Sequence, residues 1–438
     1  MLVSIDTLRA DHLGCYGHPR PTSPFLDSLA RRGVLFERAY SSCSHTAPAH
    51  ASLLTGLHPS QHGVRRNGMG LPAGAAEAYR TLPELLAGRG YDSAGFSAVS
   101  FLRSVSRGFR SFEGGSADWH EYAQADVVVD RALAWLRDKE PTDRFLLWVH
   151  LFDPHAPQRA PDDLLREFLP ASLAAAEELA RDAYERRGVV PGFYPDAGEL
   201  ARVHAAYDAE IRLADRALER LFDVMHGRGL LADGLFLVTS DHGEGLGSHA
   251  YEGHGARLYE EQIRVPLIVY GTGAPAGRRV RSLVRHVDIV PTLLDLLGVS
   301  FEQPGFEVPG RSLRGSLEAP ERPLTPAPAF AQRRPAAQHG RPRSRSRAEA
   351  PHLGETYSLQ DDTWKFIDNA RGPDELFHLR NDPLERRNLL RTSRAQAETL
   401  RRAARQVFER ARRQGQRVSP TAPDASVQDE LRALGYVQ

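Results

Sequence analysis

The chain has 438 residues, 41% of them hydrophobic and 26% charged, which is typical of a globular protein with a sizeable core. Its 56 basic and 56 acidic residues balance, so no overall charge favours nucleic acid or an anionic membrane surface as a partner. Two cysteines do not make a disulfide framework, and no run of 18 apolar residues predicts a membrane span.

Apolar runs alternate with helical patterns along most of the chain. Residues 2–5, 145–151, 235–239 and 265–270 predict buried strands of a parallel sheet. Thr22, Ser23 and Pro24 predict the N-cap and first turn of a helix. Apolar residues three and four apart from Tyr207 to Met225 predict another helix, ended by glycine. The alternation indicates an α/β fold, with a large, mostly parallel sheet sandwiched by helices.

The chain is predicted to have three parts. Residues 1–315 are expected to form a large α/β domain, residues 316–352 a flexible connection rich in Arg and Pro, and residues 353–438 a small C-terminal α+β subdomain. A strand that begins at residue 2 predicts that a longer N-terminus precedes it. The chain as written is expected in the cytoplasm, and in the periplasm or outside the cell if an export signal comes first.

Carboxylates follow three of the predicted strands directly. Asp6 follows the first, Asp153 the second, and Asp241 with His242 the third. In open α/β sheets the working groups lie at the carboxyl ends of the strands, so these residues are candidates for one site. Asp6 alone would equally be a helix N-cap. Carboxylate with imidazole favours Mn²⁺ or Zn²⁺ as the ion, and Ca²⁺ is possible.

The segment from Thr46 to Gly56 predicts a helix start. Pro48 belongs in a first helical turn, which places Thr46 at or just before the N-cap. There its hydroxyl would face free backbone N–H groups and the positive end of the helix dipole, an environment that binds anions and favours an alkoxide. An ordinary threonine N-cap explains the same pattern.

Together these segments resemble the sulfatase family of the alkaline phosphatase superfamily, and the resemblance spans nearly the whole chain. The segments are residues 5–17 (IDTLRADHLGCYG), 46–56 (TAPAHASLLTG), 153–155 (DPH), 240–244 (SDHGE), 258–261 (LYEE) with 265–267 (VPL), 287–292 (VDIVPT) and 375–383 (ELFHLRNDP). The resemblance implies an alkaline phosphatase-like fold, one divalent metal ion and hydrolysis of an anionic ester on a small molecule, glycan or lipid.

The resemblance also implies roles for single residues. Asp6, Thr46, Asp241 and His242 would hold the ion. Catalytic roles would fall to Thr46, His155 and His254, and substrate contacts to His50, Asn67 and Arg257.

The chain departs from the family at the nucleophile. Sulfatases proper carry Cys or Ser, then Pro two residues on and Arg four residues on, and that Cys or Ser becomes formylglycine. Counting from Cys43 or Ser44 does not fit, whereas Thr46 fits with Pro48 and with His50 in place of Arg. Threonine cannot become formylglycine, because oxidation of its secondary alcohol gives a ketone.

Three functions remain open from the sequence. The first is a metal-dependent hydrolase of sulfate or phosphate esters with Thr46 as nucleophile. The second is a phospho-alcohol transferase that forms a covalent phospho-threonine. The third is a catalytically silent binding protein on the same fold.

Overall fold

The computed structural model describes residues 1–72, 77–115, 122–319, 324–333, 355–369, 372–416, 428–429 and 431–432. Within these residues no helix is long and apolar enough to cross a membrane.

The core of the molecule is a large mixed sheet. Its strands among the described residues are β1 (Leu2–Ile5), β2 (Val34–Tyr40), β3 (Asp92–Ser97), β4 (Ser111–Gly114), β5 (Phe145–Leu151), β6 (Leu235–Ser240), β7 (Arg264–Gly271), β8 (Arg278–Val280) and β9 (Val284–Arg285). They lie in the order β4-β3-β5-β1-β6-β7-β2-β8, and β9 pairs with β2. β1 is thus central, with β5 and β6 parallel to it on either side.

The prediction of four buried strands is confirmed, but the direction predicted for β7 is wrong. β7 runs antiparallel to both β6 and β2. The chain between β6 and β7 contains only the four-residue helix α9 (Glu260–Ile263). A parallel connection is usually made by a helix that carries the chain back to the opposite edge of the sheet, whereas this loop has no such helix and enters β7 at the edge where β6 ended.

Helices cover the sheet and include both predicted ones. They are α1 (Pro24–Arg32), α2 (Thr46–Thr55), α3 (Pro59–His62), α4 (Leu82–Ala87), α5 (Ala125–Leu136), α6 (Asp162–Phe168), α7 (Leu173–Arg186), α8 (Ala197–Gly227), α10 (Ile289–Leu296) and α11 (Arg314–Glu318). Ser23 is the N-cap of α1, but the side chain that caps the helix is Asp215 of α8, which accepts from Phe25 and Leu26 N–H at 2.9 Å each. α8 thereby anchors α1.

A smaller antiparallel sheet follows, made of β10 (Ala329–Arg333), β11 (Thr356–Gln360), β12 (Trp364–Asn369) and β13 (Glu375–His378) in that order. Its core includes Phe330 and Phe366, which share one cluster with Leu400 and Phe408 of helix α12 (Arg394–Gly415). The C-terminal subdomain therefore begins earlier than predicted. Residues 329–333, assigned from the sequence to the flexible connection, form its first strand, while residues 320–323 and 334–352 of that connection lie outside the described residues.

Candidate active site

Strand pairing brings the two acidic segments together. β1 and β6 are adjacent and parallel, with Ile5 opposite Ser240, so Asp6 and Asp241 leave the sheet side by side at its carboxyl edge. One oxygen of Asp241, Oδ1, accepts from the backbone N–H of Thr7 at 3.2 Å and of His242 at 2.8 Å. These bonds fix the Asp241 carboxylate and leave its second oxygen pointing away from the backbone.

The side chains at this edge fit a divalent ion. Both oxygens of Asp6 and Oδ2 of Asp241 are buried without a hydrogen-bond partner. The Nε2 atom of His242 lies 3.3 Å from Asp241 Oδ2 and 3.8 Å from Asp6 Oδ1. Its Nδ1 atom donates to Gly243 O at 3.0 Å, so in the neutral ring Nε2 carries the lone pair that a metal requires. Buried carboxylates without partners are costly, and a cation between them removes that cost.

The electrostatics of these groups agree with a cation site. Burial, and then the neighbouring Asp241, raises the pKa of Asp6 well above its usual range. Burial alone would lower the pKa of His242, but Asp241 and Asp6 raise it above its ordinary value. Facing ligand atoms of the three residues lie within 4.8 Å of one another. Excess negative charge in a water-poor site is the condition that favours metal binding.

Thr46 lies beside this cluster. It is the first residue of α2, and His45 is the N-cap, so the predicted cap position was wrong by one residue. Thr46 is fully buried, and its Oγ1 atom lies 3.4 Å from His242 Nε2. The backbone N–H of Ala47 donates to Asn67 Oδ1 at 2.9 Å, which occupies one donor of the helix start. The hydroxyl therefore lies beside His242, at the positive end of a helix.

His50 occupies a different place from the predicted one. Its Nδ1–H donates to Thr46 O at 2.8 Å, and its Nε2 accepts from the Ser4 hydroxyl at 2.8 Å, while Ser4 accepts from Trp148 Nε1–H at 3.0 Å. The direction of this chain is fixed, because an indole can only donate and a carbonyl can only accept. Burial lowers the pKa of His50 to about 3, in agreement with a neutral ring. Both nitrogens are used inside the protein, so His50 orients Thr46 and neither nitrogen is left for a substrate oxygen.

Two further histidines lie on the open side of the cluster. The ring of His254 lies 4.6 Å from that of His242 and 4.9 Å from that of His155, centroid to centroid. Its Nδ1 lies 3.2 Å from Glu244 Oε2. Burial lowers the pKa of His254 and of His155 well below the ordinary value. The charge of a bound anionic substrate would act in the opposite direction, towards protonated histidine.

The predicted substrate residues Asn67 and Arg257 lie at the same end of the sheet but are held differently. With Oδ1 fixed on α2, the Nδ2 donor of Asn67 is buried and has no hydrogen-bond partner. The guanidinium of Arg257 lies 5.5 Å from the ring centroid of Tyr251 and 5.8 Å from that of Tyr259. Asn67 thus offers a donor beside Thr46, whereas Arg257 lies against two aromatic rings.

Asp153, the third strand-end carboxylate, contacts the start of a helix. Asp153 Oδ2 accepts from the backbone N–H of Ala125 at 3.0 Å, the first residue of α5. Burial and then Glu210 raise the pKa of Asp153 well above its usual range. Among the described residues, Asp153 is not grouped with the facing ligand atoms of Asp6, Asp241 and His242, and one of its oxygens caps a helix instead.

The sequence did not reveal His150. It lies within β5 opposite Ser4, and its Nε2 lies 3.4 Å from Asp6 Oδ2, while Nδ1 contacts Ser97 Oγ at 3.1 Å. A polar residue inside an otherwise apolar strand was the available signal. Only the pairing of β1 with β5 shows that this histidine faces Asp6.

Comparison with known proteins places this geometry in context. A family model described as Sulfatase matches residues 1–299. An arylsulfatase of Clostridium perfringens is 26% identical over 384 residues, which cover 73% of this chain and 78% of that protein. The phosphonate monoester hydrolase of Agrobacterium radiobacter superposes with a TM-score of 0.72 at 24% identity, over 97% of this chain and 99% of that one. A protein solved with its substrate D-glucosamine-2-N,6-O-disulfate superposes with a TM-score of 0.73 at 21% identity, over 96% and 98% of the two chains.

Proposed function

The chain belongs to the sulfatase family, and we propose that it hydrolyses sulfate or phosphate esters with Thr46 as nucleophile and one divalent ion held by Asp6, Thr46, Asp241 and His242. The observation that carries the proposal is the position of Thr46. Its hydroxyl is buried at a helix start, 3.4 Å from Nε2 of His242. The same nitrogen lies near the carboxylates of Asp6 and Asp241, whose oxygens include three without a hydrogen-bond partner.

The first half of the reaction transfers the group to the protein. A divalent ion bound by these ligands supplies Lewis acidity, which favours the alkoxide of Thr46 over the alcohol. Thr46 Oγ1 attacks the sulfur or phosphorus in line with the leaving oxygen. Asn67 Nδ2 donates to an oxygen of the transferred group. His155 or His254 gives a proton to the departing alcohol, so the negative charge does not accumulate on it.

The second half releases the group. The histidine that gave up its proton takes one from water, and the water oxygen attacks the sulfur or phosphorus. The bond from that atom to Thr46 Oγ1 breaks, and Thr46 leaves as the alkoxide with which the cycle began. A formylglycine hydrate can release sulfate by collapsing to the aldehyde, whereas a threonine ester needs a second displacement at the central atom. That displacement is easier at phosphorus than at sulfur, so the nucleophile favours phosphate esters. The fold accommodates phosphorus chemistry in the phosphonate monoester hydrolase of Agrobacterium radiobacter.

His50 stands at the position where sulfatases proper carry an arginine, but its contacts differ from those of a charged residue. Its two hydrogen bonds, both at 2.8 Å, link the Thr46 carbonyl to β1. We assign it a positioning role, because it contacts the nucleophile through the backbone and leaves the reacting atoms to other groups. The positive charge that the missing arginine would bring must come from the metal ion or from another part of the site.

A panel of matched esters tests the proposed function. Aryl sulfate, phosphate monoester, phosphodiester and phosphonate monoester substrates with the same leaving phenol would each be assayed with Mn²⁺, Zn²⁺, Ca²⁺ and a chelator. We expect metal-dependent turnover that is fastest at phosphorus and is lost in Thr46→Ala, with Ser44→Ala as the neighbouring control. Metal-independent turnover, or equal rates for Thr46→Ala and the wild type, would overturn the proposal.

A further inference from the structure

We propose that Tyr207 of α8 is a positioning residue for the metal site, because its hydroxyl holds the turn by which the chain leaves β1 after Asp6. The inference rests on the proposed function, since it concerns the ion held by Asp6, Asp241 and His242. The apolar periodicity of α8 indicates only a core residue at this position. The side chain is fully buried, yet its oxygen bonds to the backbone that follows Asp6.

The turn after Asp6 has an unfavourable backbone conformation. The N–H of Asp6 donates to Leu151 O at 2.8 Å, so the chain still belongs to the sheet at this residue. At Thr7 the chain turns with a φ of +54°, in the left-handed region that β-branched residues rarely adopt. Such a conformation persists only where the surrounding contacts fix it, so the turn needs partners from elsewhere in the fold.

Tyr207 supplies two of these contacts with one atom. Its hydroxyl donates to Thr7 O at 2.6 Å and accepts from the N–H of Arg9 at 2.9 Å. The roles are fixed, because a carbonyl can only accept and a backbone N–H can only donate. The hydroxyl therefore bonds to the backbone on both sides of Leu8. Phenylalanine at this position would remove the partner of two backbone groups inside the protein.

The same turn sets the arrangement of the two carboxylates. In this conformation the N–H of Thr7 donates to Asp241 Oδ1 at 3.2 Å, which joins the end of β1 to the end of β6. A change of the turn would move this N–H away from Asp241 and would shift Asp6, which is one residue earlier. The separation of the carboxylates thus depends on the turn. Tyr207 acts on the proposed ligands through the backbone and bonds to neither carboxylate.

Helix α8 is held firmly enough for this role. Asp208, the next residue, contacts His12 Nδ1 at 2.7 Å and His18 Nε2 at 3.2 Å. The ring of His12 packs edge-on against that of Tyr207, with 4.8 Å between the centroids. Asp215, two turns further along α8, caps α1. All these partners lie in the segment between β1 and β2, which begins with the turn. The contacts therefore fix the hydroxyl against the turn independently of any bound ion.

The affinity for a divalent ion tests the inference without turnover. Mn²⁺ would be titrated by calorimetry into the metal-free wild type and into Tyr207→Phe. We expect the dissociation constant to rise about 10-fold or more in the variant, as is typical when a contact that orients metal ligands is lost. Tyr79→Phe is the matched control. Tyr79 is also fully buried and donates to the carbonyl of His62 at 2.9 Å, so this variant loses an equivalent bond and should keep the wild-type dissociation constant.

A second substitution separates the held turn from a general loss of packing. Glycine adopts a positive φ without steric cost, so Thr7→Gly should need the hydroxyl of Tyr207 less than the wild type does. In the Thr7→Gly protein, Tyr207→Phe should therefore raise the dissociation constant by less than about 3-fold. A defect in packing would weaken binding by the same factor whether residue 7 is threonine or glycine.

The outcomes separate this inference from the proposed function. Equal dissociation constants for the wild type and Tyr207→Phe, an equal rise in Tyr79→Phe, or an undiminished effect in Thr7→Gly would overturn the inference alone. A wild type that binds no divalent ion would overturn the metal-dependent function as well. If Tyr207→Phe does not fold, amide hydrogen exchange in the metal-free wild type decides. Protection of the N–H groups of Thr7 and Arg9 supports a preformed turn, and rapid exchange at both would contradict it.

Discussion

Removal of one carboxylate should stabilise the metal-free protein. Facing ligand atoms of Asp6 and Asp241 lie within 4.8 Å, which at an effective dielectric constant of about 20 corresponds to a repulsion of about 3 kcal/mol. His242, whose pKa Asp241 and Asp6 raise, offsets part of this repulsion when it is protonated, while the burial of Asp6 without hydrogen bonds adds to the cost. Asp6→Asn keeps the shape of the side chain and removes its charge. We therefore expect the free energy of unfolding of the chelated variant to exceed that of the chelated wild type by about 1–3 kcal/mol.

Metal should remove or reverse this difference. Metal at 100 times its dissociation constant should stabilise the wild type by about 2.7 kcal/mol and the Asp6→Asn variant by much less. Urea unfolding with a chelator, and then with Mn²⁺ or Zn²⁺, measures both differences. Asp223→Asn, at an exposed position of α8, is the matched control and should change neither value. The reasoning fails if chelated Asp6→Asn is less stable than the wild type and metal stabilises both proteins equally.

Two other substitutions test the hydrogen bonds that hold His50 and the pH dependence of stability. Ser4→Ala leaves a buried indole N–H and an imidazole nitrogen without partners, so the free energy of unfolding in urea should fall by about 2–4 kcal/mol. Ser300→Ala, on the surface, should change it by almost nothing. Equal losses in the two variants would show that the hydrogen bonds from Trp148 through Ser4 and His50 to Thr46 do not stabilise the structure. Burial alone would lower the pKa of His249, but Glu261 raises it to about 9. Protonated His249 therefore contributes its full stabilisation below the pKa of the unfolded state, and this contribution is lost as the pH rises through about 9. We expect the free energy of unfolding to fall more steeply between pH 7 and 9 in the wild type than in His249→Gln. Parallel pH profiles would contradict that assignment.

Periodicity predicted the centre of the fold better than its edges. The apolar runs of β1, β5 and β6 are buried on both faces, and such strands read as continuous apolar segments. β3 contains Asp, Ser and Gly, so it gave no such signal, although it pairs with β5 over six residues. The direction of β7 could not be predicted from the sequence, because a run of apolar residues does not indicate whether the strand pairs parallel or antiparallel.

Local chemistry predicted that Asp6, Asp241 and His242 lie together, whereas contacts distant in sequence defined the rest of the candidate site. Asp6 and Asp241 could be found because each follows its own strand directly. The hydrogen bond between His50 and Ser4 joins α2 to β1. The approach of His150 to Asp6 depends on the pairing of β1 with β5, which are far apart in the chain. Arg333 was assigned to a flexible connection because its neighbours are rich in Arg and Pro, yet the short strand that ends there pairs with β11 and is buried.

The measurement that tests the central claim most directly is the identification of the covalently labelled residue. The protein would be quenched during turnover of an aryl phosphate, digested, and its peptides analysed by mass spectrometry. We predict the mass of the transferred phosphoryl group on Thr46, an unmodified Thr46 in the resting protein, and no label in Thr46→Ala. A label on Ser44 or Cys43, or undiminished turnover by Thr46→Ala, would contradict the assignment of Thr46 as the nucleophile.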